Sequence, residues 1–292
     1  MFNKIFFRIK NERFQDVIRM IFNHIYKRKA KSHKLCKDLV ENKVGLEIGG
    51  PSRWFMPKDI LPLYQNVKSL DNCNFSPETI WDGNRENGLT YQFYSGKPTG
   101  YQYVVDTTDL NVIPTQKYDF ILASHVLEHI ANPIKALIEW IRILKNDGIL
   151  IIILPHKDGT FDRKRNVSTL SHLIEDYNND TQESDTTHLD EILKLHDLSK
   201  DPEAESYIHF KNRSLKNTEN RCLHHHVFNT NLAVNLIDFV KLQIISAEAL
   251  FPYHIIIIAQ KTSSYNNKEI INQLRNNKFK SPFRTDKVKK AG

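Results

Sequence analysis

The 292-residue chain is long for one average domain and short for two, so one core domain with sizeable insertions is expected. Its 3 cysteines, Cys36, Cys73 and Cys222, make no C-x-x-C pair and no even set, which argues against a cysteine-built zinc site or a disulfide framework and points to a reducing compartment. The net charge of +7 sits at the ends: residues 1–43 hold 12 Lys/Arg against 4 Asp/Glu, residues 261–292 hold 9 against 2, and the body between them is acidic, which argues against a nucleic-acid groove.

Residues 1–43 form a basic N-terminal segment. Phe6, Phe7, Phe14, Val17, Ile18, Ile21, Phe22 and Ile25 recur at helical spacing, with Arg and Lys on the other face. Such a helix packs on the body or lies on a membrane surface. Arg8, Lys10 and Arg13 interrupt its apolar run, so it does not read as a signal peptide. No run of about 18 apolar residues occurs anywhere, so no spanning helix is expected. The expected location is cytoplasmic. The basic ends are solvated tails, or else hold the protein at the inner face of the membrane or on a partner.

Residues 44–155 read as a nucleotide-binding core. VGLEIGG is a short strand and turn, VKSLD (67–71) a second strand ending in an acid, YQYVVD (101–106) a third, and YDFILASHV (118–126) a fourth. ANPIKALIEWIRILKNDG is a helix, capped by Asn132, opened by Pro133 and closed near Gly148, with Ile134, Leu137, Ile138, Ile141 and Leu144 on one face. ILIIILP (149–155) has no polar alternation, which implies burial on both faces. Residues 156–226 interrupt the pattern, are polar, and hold 8 of the 13 histidines. They leave the C-terminal end of a central strand, where open α/β sheets bind ligands, and read as a lid over the acceptor. Residues 227–260 supply the closing strands, ending in HIIIIAQ. Residues 261–292 read as a loosely held basic tail. Buried strands alternating with helices predict an open, mostly parallel α/β sheet.

Only 10 glycines occur in the chain, and three of them lie between 45 and 50. Gly49 and Gly50 therefore mark a close backbone approach to a ligand. Asp71, 24 residues after Glu47, sits where an acid accepts hydrogen bonds from ribose hydroxyls. The plain alternative is a tight β–α turn with an unrelated acid. Pro51 removes one of the free N–H groups a pyrophosphate would need, which disfavours a dinucleotide. YQNVK (64–68) imitates the Tyr-x-x-x-Lys pair of some NAD enzymes but precedes the second strand, not the fourth. HVLEH (125–129) matches the spacing of a zinc peptidase, but its first histidine ends a buried strand and Asn132–Pro133 starts a new helix, so both histidines do not share one helix.

E-I-G-G, SLD, VVDTTDL, YDFILASHVLEHI and LKNDGILIIILP, in this order, resemble the motifs of class I S-adenosylmethionine-dependent methyltransferases. The resemblance implies a Rossmann-like seven-stranded sheet with an antiparallel last strand, a lid inserted after the fifth strand, and S-adenosylmethionine as cofactor. By position it implies that Glu47, Gly49 and Gly50 hold the methionine end, Asp71 the ribose, Asp106 and Thr107 the adenine, that Ser124 and His125 flank the sulfonium, and that Pro51 and Asn72 are also cofactor-binding. Pro51 departs from the pattern, since relatives keep a glycine there. The lid strings HKDGTFDRKR, THLDEILKLHDL and NRCLHHHVF resemble a narrower subgroup associated with bacterial capsule and lipopolysaccharide synthesis, including heptose O-methyltransferases. That resemblance implies O-methylation of a carrier-linked or nucleotide-linked sugar. Methylation of a capsule phosphoramidate or amine is the alternative, as is a non-catalytic donor-binding scaffold of a glycan-assembly complex, held by the basic N- and C-terminal segments.

Methyl transfer to a sugar hydroxyl needs positioning and a base, and histidine suits the latter. His156, at the end of the fifth strand, is the first candidate, followed by His125 and the triplet represented by His225. Asp162, Arg163, Arg165, His224 and His226 are candidates for acceptor binding, arginine being matched to a phosphate. Each lid histidine also has a structural reading as a helix cap or satisfied polar contact. A metal is left open. On a strand, His224 and His226 would share a face and His225 would not.

Overall fold

The computed structural model describes residues 29–77 and 85–287. The amphipathic helix expected at the N-terminus lies outside the described residues. The chain runs α1 (His33–Val40), β1 (Val44–Ile48), β2 (Ser69–Asn74), β3 (Gly88–Tyr91), β4 (Gly100–Val104), β5 (Tyr118–Ser124), α2 (Pro133–Ile143) and β6 (Leu144–Pro155). Then come α3 (Leu170–Asn178), α4 (Leu189–Leu195), α5 (Tyr207–Leu215), α6 (Asn217–Asn220), α7 (Thr230–Phe239), β7 (Gln243–Leu250), β8 (His254–Gln260) and α8 (Lys268–Arg275).

The strands form one sheet in the order β3-β4-β2-β1-β5-β6-β8-β7. From β1 the chain winds outward one way through β2 and β4, then returns to the other side of β1 with β5 and β6. The crevice at the C-terminal ends of β1 and β5 is thus a topological switch point. Among the described residues the sheet has eight strands, not the expected seven. The extra one is β3, formed within the long 72–103 connection and antiparallel to β4. The last strand, β8, is antiparallel to both neighbours, as expected.

Burial on both faces follows from the apolar runs. Leu150, Ile152 and Leu154 of β6 face one core with Trp140 of α2 and Leu236 of α7. Ile149, Ile151 and Ile153 face the other with Phe55, Leu61 and Tyr64. Asn132 caps α2 as expected, its side chain accepting from the Lys135 amide at 3.0 Å. The helix ends at Ile143, however, and the chain turns directly into β6, so Leu144 and Gly148 belong to a strand. Ile138, placed on the apolar face by spacing, is exposed.

The segment after β8 corrects the expectation of a loose tail. Asn267, Leu274, Phe283 and Asp286 are buried against the body. Asp286 accepts hydrogen bonds from the Thr230 amide (2.8 Å) and hydroxyl (2.6 Å) at the start of α7.

Candidate active site

The donor turn is built around a buried carboxylate. Glu47, next to last in β1, has no exposed surface and accepts hydrogen bonds from Tyr64 (2.9 Å to each oxygen), Tyr91 (2.5 Å) and the Ser52 amide (3.0 Å). Burial pushes this carboxyl up to about 7, against the pull of Tyr91 and Tyr64. Glu47 therefore ties the far end of the 49–52 turn to its start, from behind. Gly49 has φ +78°, and a Cβ there would lie 2.7 Å from Val126 Cγ2; a Cβ on Gly50 would lie 2.3 Å from Glu47 Cδ. Both positions require glycine. Gly49, Gly50 and Pro51 present their inner face to a cavity of about 300 Å³, at the lower end of the ~300–1,000 Å³ common for small-molecule sites.

Asp71 does not reach this cavity. β2 runs three residues past it, and the register pairs Asp71 with Leu46, two residues short of Ile48. Its carboxylate accepts from the Tyr101 amide (2.8 Å), Tyr118 (2.7 Å) and Lys117 (3.3 Å), so it pins β4 and β5 below the site. Asn72 is buried and donates to the Glu47 carbonyl at 3.1 Å, bridging β1 and β2 instead of lining the cavity. The side chains at the strand tip are Asn74 and Phe75, and both line the cavity.

The opposite wall comes from the ends of β4 and β5. Thr107 and Ser124 line it, and the Thr107 hydroxyl accepts from Trp140 Nε1 at 2.6 Å. Asp106, lowered in pKa because Arg221 and Thr108 outweigh its burial, pairs with Arg221. Arg221 comes from the 156–226 insertion, stacks on Phe75 at 4.3 Å and lines the cavity. His125 (φ +54°) and His129 complete this wall. His125 Nε2 meets His254 Nδ1 at 3.2 Å, and burial, with His224 and His129 nearby, pushes His125 down to about 3.

His156 is a correction. It has no exposed surface, Nε2 bonds Asp286 (3.0 Å), Nδ1 accepts from the Asp158 amide (3.2 Å), and the ring stacks on Phe283 at 3.9 Å. Neither nitrogen is left for an acceptor, so the ring serves as a structural clasp for the C-terminal segment. His225 is buried too, with Nε2 3.1 Å from Asn217 Nδ2, and burial lowers it to about 4.

The expected acceptor residues are occupied as well. Asp162 and Arg165 are buried and paired at 2.9 Å, and Asp162 also binds His224 Nδ1 at 2.5 Å. Arg163 pairs with Asp197. His224 and His226 do not share a site. His226 Nε2 contacts the Ala131 carbonyl at 3.1 Å and lies near Asp176 and His172, whereas His224 faces Glu128 and His129. Asn74, Phe75, His129 and Arg221 are cavity residues to which the sequence reading assigned no role. Arg221 lay in the NRCLHHHVF string and His129 in HVLEH, so the only signal available was their place in those strings.

The cavity suits S-adenosylmethionine. The glycine turn lines it together with Ser124, whose Oγ is buried without a hydrogen-bond partner. The Gly49–Pro51 turn, Asn74, Thr107 and Ser124 would hold the cofactor.

Residues 61–152 match the family described as "Methyltransferase domain". No curated protein matches the chain. Among solved structures, the chain is similar to a SAM-dependent methyltransferase from Aquifex aeolicus, with 11% identity over 80% of this chain and 90% of that one and a TM-score of 0.40. One from Methanosarcina mazei has 13% identity over 78% and 97%, TM-score 0.43. One from Thermotoga maritima has 15% identity over 88% and 99%, TM-score 0.43. The chain is a methyltransferase, which displaces the scaffold reading. Its cofactor is S-adenosylmethionine.

Proposed function

We propose that the enzyme O-methylates a hydroxyl of a sugar or sugar precursor of a bacterial surface polysaccharide, presented on a nucleotide or other carrier. The observation carrying this reading is the wall opposite the donor turn, where Ser124, His125 and His129 stand beside residues of the 156–226 insertion. Of the lid strings that resemble the capsule and heptose subgroup, NRCLHHHVF brings Arg221 to the cavity. Bound S-adenosylmethionine supplies an electrophilic methyl on its sulfonium. The protein's part is to hold donor and acceptor in line and to receive the acceptor's proton.

His125 replaces His156 as the proton acceptor in this reading. The burial that makes it a weak base also keeps it neutral at physiological pH, and with Nε2 bonded to His254 the proton would go to Nδ1, which lies 3.6 Å from Glu128 Oε1. A weak base suffices, because a hydroxyl oxygen becomes strongly acidic as it gains the methyl group. Arg221, pinned by Asp106 and Phe75, closes the cavity from the insertion side. A cytoplasmic location, with the basic ends on the inner face of the membrane, suits a lipid-carrier-linked acceptor. No helix among the described residues is long and apolar enough to cross a membrane.

The test is incubation of the purified protein with S-adenosylmethionine and nucleotide-linked or polymeric sugars, reading S-adenosylhomocysteine and locating the methyl by mass spectrometry. Methyl on a sugar oxygen is expected, with His125→Ala lowering kcat about 10²–10⁴-fold. Methyl on an amine or phosphoramidate nitrogen, or no transfer to any sugar acceptor, would contradict the proposal.

A further inference from the structure

Glu128 is the most anomalous side chain in the core. It follows β5, has no exposed surface, and neither carboxylate oxygen has a hydrogen-bond partner. A buried carboxylate without donors is costly unless something positive reaches it. What surrounds it is imidazole. Glu128 Oε1 lies 3.6 Å from His125 Nδ1 and 3.8 Å from His129 Nε2, and the His129 and His224 rings are 4.6 Å apart. One ligand atom from each of Glu128, His129 and His224 falls within 4.8 Å of the others.

The 3.8 Å between Glu128 Oε1 and His129 Nε2 is close to the spacing of donors around one ion. With bonds of ~2.0–2.2 Å, tetrahedral ligand atoms stand about 3.4 Å apart. The histidines are also turned for the task. His129 Nδ1 bonds the Leu223 carbonyl at 3.0 Å, so Nδ1 carries the proton and Nε2 presents its lone pair toward Glu128. His224 Nδ1 is held by Asp162, which leaves Nε2 as the ligating nitrogen, and Asp162 is itself fixed by Arg165. A carboxylate or carbonyl behind each ligating histidine is how metal sites orient imidazole and raise its basicity.

We propose that Glu128, His129 and His224 form a site for a divalent first-row transition ion at the wall of the donor cavity. One carboxylate and two imidazoles favour zinc, manganese, iron or cobalt over magnesium, which prefers oxygen alone. Three protein ligands leave coordination positions open. His129 lines the cavity, so an acceptor oxygen is the natural occupant of one of them. That last role rests on the sugar-hydroxyl reading above; the site itself does not.

A second cluster, His172, Asp176 and His226, lies in the insertion and must be distinguished from it. The experiment uses chelator-treated full-length protein, titrated with Zn²⁺ alone by calorimetry and with Co²⁺ alone by visible absorption, with neither donor nor acceptor present. Wild type is expected to bind one ion at this site with Co²⁺ ligand-field bands. Glu128→Gln and His224→Ala should each weaken binding at least about 10-fold. His172→Asn should leave that signal intact. Glu128→Gln should keep or raise the metal-free Tm, since it removes an unpaired buried charge, and this separates loss of the site from loss of folding. No binding by wild type, binding unchanged in Glu128→Gln, or a signal lost only in His172→Asn would each overturn the proposal. Metal binding without sugar methylation would leave the site standing and refute only the acceptor reading.

Discussion

Glu47 accepts from two tyrosines and a backbone amide, and in doing so it sets the curve of the turn that lines the cavity. Glu47→Gln keeps its volume but places an NH₂ against groups that already donate. A loss of about 1–3 kcal/mol is expected for a buried donor left without an acceptor. S-adenosylhomocysteine should bind several-fold more weakly as residues 49–52 loosen. Calorimetry and thermal unfolding test this together, and unchanged values of both would remove Glu47 from the site. The E-I-G-G string marked this turn in the sequence because glycines are so scarce around it. Tyr64 and Tyr91 were not legible, since their hydroxyls reach Glu47 from 17 and 44 residues away. His156 shows the same limit. Its place after the fifth strand suggested the cavity, and only its distant partner Asp286 reveals that it points elsewhere.

Strand ends account for the misplaced ribose contact. Asn72, Cys73 and Asn74 are not strong strand formers, yet β1 and β4 pair with them from both sides and carry β2 on through Asn74. That extension leaves Asp71 half-buried below the tip and brings Asn74 to it. α2 ended early for a related reason: Leu144 pairs with Tyr118 of β5, and tertiary pairing outweighed the helical spacing. The C-terminal segment is an element whose polar composition hid its docking. His156→Ala removes a ring stacked on Phe283 and bonded to Asp286. It should lower Tm by several degrees while leaving affinity for S-adenosylhomocysteine within about 3-fold. A large loss of kcat at unchanged Tm would instead restore His156 as the base.

At the scale of the whole molecule, the 156–226 insertion carries buried ion pairs around a small apolar cluster of Ile192, Ala204, Phe210 and Leu223, so its stability should follow pH. Asp201 is an example that can be read cleanly. Burial raises its pKa, but hydrogen bonds from His196 (3.0 Å) and Arg213 (2.5 Å) outweigh this and bring it down to about 2. The unfolded value is about 3.9. A carboxylate with a depressed folded pKa stabilises above the unfolded value and loses that contribution as pH falls through the folded one. Wild type should therefore melt a few degrees above Asp201→Asn at pH 6, and the gap should close between about pH 4 and pH 2. A pH-independent gap would show that the pair contributes through packing alone.

The central claim, that S-adenosylmethionine is held between the Gly49–Pro51 turn and the Ser124–His129 wall, is tested most directly by calorimetric titration of wild type and Gly50→Val with S-adenosylhomocysteine. One equivalent should bind to wild type, and a folded Gly50→Val should bind at least about 100-fold more weakly, because its side chain collides with Glu47 and displaces the turn. Equal affinity in the two proteins, or no binding to wild type, would contradict the account.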